Sequence, residues 1–226
     1  MKPEQRAAVD RFADALAEPI DLGLAAIRLG LCEDAELDVE AWCTQLDVLG
    51  EAARARLEGV ESPEEQLRVL GGFLFAELGL LGNEQDYYDP RNSYVHKVLQ
   101  RGLGIPISLS VVTLEVGRRA GLELFGVGFP AHFLVGSAHC ALFLDPFHQG
   151  RLLDAAACEE LLARFTGGAV PFSPALLAPI GERAILTRML RNLKATHLRR
   201  GELDLALLDV DRLIVLDAGV EELRDR

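Results

Sequence analysis

The amino-acid sequence predicts an α+β fold, mostly helical, with a small antiparallel sheet. Two observations carry this prediction. Apolar residues recur at helical spacing through the first 80 residues and again after residue 154. Between them, "LELFGVGF", "HFLV" and "CALFLD" are short apolar runs broken by glycine and by a polar stretch. With 226 residues, half of them apolar, the chain is long enough to bury a substantial core.

The elements follow in order. In "DVEAWCTQLDVLGEAARARLEG", Trp42, Leu46, Leu49, Ala53 and Leu57 form one helical stripe, and Gly59 offers a stop. In "SPEEQLRVLGGFLFAELGL", Ser62 caps, Pro63 fits the first helical position and Glu65 completes a capping box. The Gly71-Gly72 pair costs helix propensity, which predicts close packing against another element. From about residue 83 the composition turns loop-like, with a short helix over about 93–101. "SLSVVTLEVGRRAG" is a helix with Ser108 near its start and Gly121 as its cap. Three short strands follow, the last two joined by a tight loop over Gly136–His139. Asp154 caps the helix in "DAAACEELLARF", and a proline-rich loop runs from Pro171 to Pro179. Two amphipathic helices joined at Gly201 close the chain.

This organisation divides into a helical region (1–82), an α+β core (83–175) and a C-terminal helical hairpin (176–226). Asn192, Leu198, Gly201, Ala206 and Leu216 give the hairpin the spacing of one tetratricopeptide unit. A single unit is weak evidence for a repeat, because a stack of such units needs more than one.

The net charge of −12 excludes a broad electrostatic grip on nucleic acid or anionic lipid. The acidity is concentrated at the front: residues 1–80 hold 7 basic against 17 acidic side chains. Cys32, Cys43, Cys140 and Cys158 form no C-x-x-C pair, so a zinc ribbon or dithiol redox site is not indicated. The N-terminus lacks the apolar stretch of a signal peptide, and nothing approaches a membrane span. A cytoplasmic protein with a protein or peptide partner is the expectation, with neither nucleic acid nor membrane as target.

The chemistry concentrates in "GFPAHFLVGSAHCALFLDPF", residues 128–147. If Val135 faces Cys140 across the loop, His132 and Asp145 are diagonal neighbours on one face, about 7–8 Å apart at Cα. A carboxylate on one ring nitrogen fixes the tautomer and leaves the other as a base. The helix start near Ser108 is the natural place for a nucleophile, because unpaired N–H groups stabilise developing negative charge. Ser108 reads equally as a helix cap, and the His132–Asp145 pair equally as a buried structural pair. "DYYDPRNSY" offers Tyr87, Tyr88 and Asn92 as substrate-binding groups, or as turn and clamp residues. His132, His139, Asp145 and His148 lack a recognised metal-ligand spacing, so no metal and no cofactor is expected.

"YYDPRNSYVHKVLQRGLGIPISLSVVTLEVGRRAGL", "GVGFPAHFLV" and "LFLDPFHQGRLL" resemble the bacterial SirB-type transglutaminase-like family, most specifically over residues 83–155. The resemblance implies a papain/transglutaminase-like core, preceded by helices and followed by tetratricopeptide repeats. Such a core normally carries a Cys–His–Asp triad, and His132 and Asp145 match its second and third positions. Where the cysteine should open the core helix, this chain has "IPISLS", with Ser108 the nearest substitute. Cys140 reads as a strand residue on the face opposite His132. Two functional readings follow. One is an atypical transglutaminase-like domain without the thiol, a possible pseudoenzyme serving as a regulatory or protein-interaction module. The other is a serine-dependent hydrolase or acyltransferase using Ser108, His132 and Asp145 as catalytic residues.

Overall fold

The computed structural model describes residues 3–216. Helices α1 (Pro3–Ala13), α2 (Leu22–Arg28), α3 (Val39–Leu57) and α4 (Pro63–Gly71) come first. A parallel pair, β1 (Leu81–Gly82) and β2 (Leu103–Gly104), brackets α5 (Val95–Arg101). Next comes α6 (Pro106–Arg119), then β3 (Leu124–Val127), β4 (Leu134–Ser137), β5 (Phe143–Asp145) and β6 (Arg151–Leu153). Helix α7 (Ala155–Thr166), strand β7 (Pro179–Ile180) and the hairpin α8 (Glu182–Arg200) and α9 (Leu203–Val215) complete the fold. The main sheet is antiparallel throughout, in the order β6-β5-β4-β3-β7. The fold is therefore the mostly helical α+β arrangement expected. β6 and β7 were not anticipated: each is too short to show an alternation in the sequence.

Local chemistry accounts for the helix starts. Asp38 accepts from Ala41 N–H at 3.0 Å and opens α3, and Asp154 accepts from Ala157 N–H at 2.8 Å and opens α7. Ser62 accepts from Glu65 N–H at 3.4 Å, with Pro63 at the first helical position of α4. The return half of the capping box is not among the described contacts, and Glu65 instead pairs with Arg68 at 3.4 Å. Helix α4 runs on into a π-helical turn, Gly72–Glu77. Close packing explains Gly71: a Cβ there would lie 3.1 Å from Leu144 Cδ1 and 3.5 Å from the Gly150 carbonyl. It does not explain Gly72, which faces open space.

Helix α6 is the centre of the molecule, with every residue from Pro106 to Gly117 buried. One continuous apolar core runs from Phe12 through α6 and the inner sheet residues Phe133, Val135 and Leu144 to Leu216, so all three sequence segments contribute to it. The opposite sheet face, Val127, Leu134 and Leu153, packs under α7 through Cys158, Leu161 and Leu162. No helix among the described residues is long and apolar enough to cross a membrane.

The register of the central hairpin differs from expectation. Val135 faces Leu144 and Gly136 faces Phe143, so the strands pair four residues further along than the sequence reading supposed. The polar run after Ser137 loops out instead of pairing, carrying exposed His139, which sits 3.2 Å from Glu123. Cys140 consequently lies in this loop rather than in a strand. Because side chains alternate with period two, an even shift leaves every residue on its expected face. Continuing the observed register puts Asp145 opposite Leu134, so Asp145 and His132 still share the face under α7.

Candidate functional site

His132 ends the turn that leads into β4, where its N–H donates to the Phe129 carbonyl at 3.1 Å. Arg188 on α8 holds that turn from the other side, donating to the carbonyls of Phe129 at 2.9 Å and His132 at 2.5 Å. Asp145 ends β5, and the turn after it returns His148 to the same carboxylate. Ala131 and Gln149, next to the two histidines, both adopt positive φ, 55° and 57°. For non-glycine residues that conformation costs about 1 kcal/mol or more and persists only where the surroundings enforce it.

His132 Nε2 lies 2.7 Å from Asp145 Oδ1, and His148 Nδ1 lies 2.7 Å from Asp145 Oδ2. The His148 N–H adds a third donor to Oδ1 at 3.3 Å. His132 and Asp145 are almost fully buried, whereas the His148 side chain is 37 % exposed. Phe147 and Phe165 wall the imidazoles: the Phe165 centroid is 5.1 Å from that of His132 and 6.4 Å from that of His148. His148 and Phe147 also line a cavity of about 470 Å³ with Glu84, Leu103 and Gln149.

Burial alone would raise the Asp145 pKa, but the hydrogen bonds from His132 and His148 outweigh it and hold the carboxyl down at about 2. Asp145 is thus ionised at neutral pH and accepts from both imidazoles. The same bond, against a smaller cost of burial, raises His148 above the ordinary imidazole value. A folded pKa above the unfolded one means that this bond's stabilisation is full below about pH 6.5 and is lost as pH rises through the folded value. In an NMR pH titration His148 should therefore titrate above the usual imidazole pKa, and Asp145→Asn should return it there. An unchanged His148 titration in that variant would contradict the assignment of the shift to this bond.

The structure brings His132 and Asp145 together but gives Ser108 a different task. Ser108 is fully buried at the third position of α6. Its hydroxyl donates to the Asn92 carbonyl at 2.5 Å and accepts from Ile105 N–H at 3.1 Å. No hydrogen bond joins it to His132 among the described residues, and its hydroxyl is engaged by backbone groups as a cap is. Asn92, expected among the substrate groups, lies inside its loop. It has no solvent exposure, donates to the carbonyls of Asp86 at 2.7 Å and Tyr87 at 3.3 Å, and accepts from Asn83 at 3.1 Å. It holds the 83–92 loop together. Tyr87 and Tyr88 remain at the surface. The Tyr87 centroid is 6.1 Å from that of Phe147, and the Arg199 guanidinium lies over Tyr88 at 4.2 Å.

Sequence reasoning missed three residues of this site. His148 carried no role in the sequence reading, yet an aspartate commonly accepts from backbone N–H groups just after it in a turn, and that is its available signal. Arg188 and Phe165 gave no signal, because their roles depend on where α8 and α7 pack.

The chain matches a family model described as Transglutaminase-like superfamily over residues 40–191. It is 39 % identical to a UPF0162 protein of Xylella fastidiosa (strain 9a5c), over 92 % of this chain and 76 % of that one. It is 35 % identical to UPF0162 protein PA3419 of Pseudomonas aeruginosa, over 76 % and 63 % of the two chains. The F-box only protein 21 of Homo sapiens is 32 % identical over 63 % of this chain and 23 % of its own. No solved structure matches. The helix–sheet core that brings His132, in the turn before β4, onto Asp145 at the end of β5, together with these matches, shows that this chain belongs to the transglutaminase-like superfamily.

Proposed function

We propose that this protein is a transglutaminase-like domain without a thiol nucleophile that serves as a regulatory or protein-interaction module. The observation that carries this reading is the start of α6. Pro106, Ile107 and Ser108 are all buried there, and the one hydroxyl is spent on Asn92 and Ile105. None of the four cysteines takes the vacant catalytic position by sequence. Cys158, which sits in the packing under α7, has its thiol pushed up by burial to about 12, far from a reactive thiolate. The module reading also fits the F-box only protein 21 match, where the similar segment makes up 23 % of a longer chain. Leu198, Leu203 and Leu207 stand exposed on the α8–α9 hairpin, which we read as tetratricopeptide-like and as the natural face for a protein or peptide partner.

The test is catalytic. Wild type, Ser108→Ala and His132→Ala are incubated with a fluorophosphonate probe and with activated ester and amide substrates. The expected result is no stoichiometric labelling and no turnover that depends on His132. A stoichiometric adduct lost in Ser108→Ala, or turnover abolished in His132→Ala, would favour the serine hydrolase or acyltransferase reading instead.

A further inference from the structure

We infer that His132, Asp145 and His148 form a binding site for one divalent first-row transition-metal ion of the Zn²⁺ type. This goes beyond the proposed function and does not depend on it. The three residues offer His132 Nε2, an Asp145 carboxylate oxygen and His148 Nδ1, all within 4.8 Å of one another. Two imidazoles and one carboxylate are a donor set that such ions take, with a fourth position left for water or another ligand. The first two side chains are almost fully buried and held from behind, His132 by the turn that Arg188 clamps and Asp145 by its place in β5.

The hydrogen-bond pattern gives the physical route. With Asp145 ionised, each imidazole points an N–H at one carboxylate oxygen, so two protons bridge two nitrogens to one anion. A dication can replace both protons: each nitrogen keeps its direction and offers a lone pair, and the displaced protons pass to the other ring nitrogens or to solvent. Tetrahedral Zn²⁺ with bonds of about 2 Å sets its ligand atoms about 3.4 Å apart. The three donor atoms all lie within 4.8 Å of one another, and the 2.7 Å contact between the coordinating Asp145 oxygen and its histidine must open by about 0.7 Å. His148, 37 % exposed and lining the adjacent cavity, gives the ion access. The left-handed Ala131 and Gln149, one beside each histidine, are the local backbone distortions that hold both rings toward the carboxylate.

The test uses chelator-stripped full-length protein titrated with Zn²⁺ by calorimetry and with Co²⁺ by visible absorption. One equivalent of Zn²⁺ should bind and raise the melting temperature. Co²⁺ should give the d–d bands of nitrogen and oxygen coordination without thiolate charge transfer. His148→Ala should weaken Zn²⁺ binding by at least about tenfold, and Asp145→Asn should do the same. His148→Ala is the decisive variant, because its partly exposed side chain can be removed without opening the core, and melting of the metal-free variant verifies folding. His139→Ala should leave binding unchanged. The inference is overturned by the absence of stoichiometric binding, by binding that survives His148→Ala, or by binding lost in His139→Ala, which would move the ion to the surface His139–Glu123 pair.

Discussion

Asp209→Ala should lower the unfolding free energy by about 3–5 kcal/mol, measured by urea denaturation at neutral pH. Asp209 and Arg212 lie one turn apart in α9, neither with any solvent exposure, and Arg212 Nη1 donates to Asp209 Oδ1 at 3.3 Å. The other carboxylate oxygen lies 2.7 Å from His197 Nδ1, and His197 Nε2 lies 3.4 Å from the Tyr94 hydroxyl. Tyr94 reaches Cys32 in turn, with sulfur and oxygen 3.4 Å apart. This chain of contacts links the N-terminal helices, α5 and the C-terminal hairpin through polar groups buried in the core. Arg212 Nε and Nη2 already lack a hydrogen-bond partner among the described residues, and Asp209 is the carboxylate bonded to its guanidinium. Deleting it leaves a guanidinium buried with no counter-charge, which costs far more than the pair contributes relative to well-packed apolar residues. The double variant Asp209→Leu/Arg212→Met should accordingly recover most of the loss. A single-variant loss under about 1 kcal/mol would mean that Arg212 is compensated elsewhere.

Acidification should destabilise the protein through His96, by about 3 kcal/mol over the range from about pH 6.5 to pH 4. His96 is buried, packs against Trp42 and Tyr94, and has no hydrogen-bond partner on either ring nitrogen among the described residues. Burial, assisted by the neighbouring Lys97 charge, pushes its pKa down to about 4. The folded state therefore keeps the ring neutral while the unfolded chain, with an imidazole pKa near 6.5, takes up a proton across that window. The unfolded state binds more protons there, so stability falls as pH falls. His96→Leu should flatten this part of the stability–pH profile, with Asp145 titrating below it. A slope equal to that of wild type would show that other groups carry the acid sensitivity. The surroundings allow the ring little relief, since a Cβ at Gly30 would lie 2.3 Å from His96 Cε1.

The local elements were legible because they rest on nearest-neighbour chemistry. Ser62 with Pro63, Asp154, and the apolar stripe from Trp42 to Leu57 each act within a few residues, and each starts or faces a helix as its pattern requires. The pairing of His132 with Asp145 was also legible, although the assumed register was wrong by four residues. Facing depends only on parity, and an even error preserves it. Ser108 could not be assigned from sequence because a hydroxyl at a helix start suits both capping and catalysis. Its partner in the structure, the Asn92 carbonyl at 2.5 Å, comes from the loop over 83–92 and gives no local signal.

Spacing along the chain was enough for the helical frame, the short antiparallel hairpin, the shared face of His132 and Asp145, and the absence of a thiol at the head of α6. Long-range packing was needed to fold His148 back onto Asp145, to bring Arg188 and Phe165 to the site, and to engage the Ser108 hydroxyl with backbone. Those facts depend on which distant segments pack together, and packing is set by the whole apolar core rather than by any local pattern of residues.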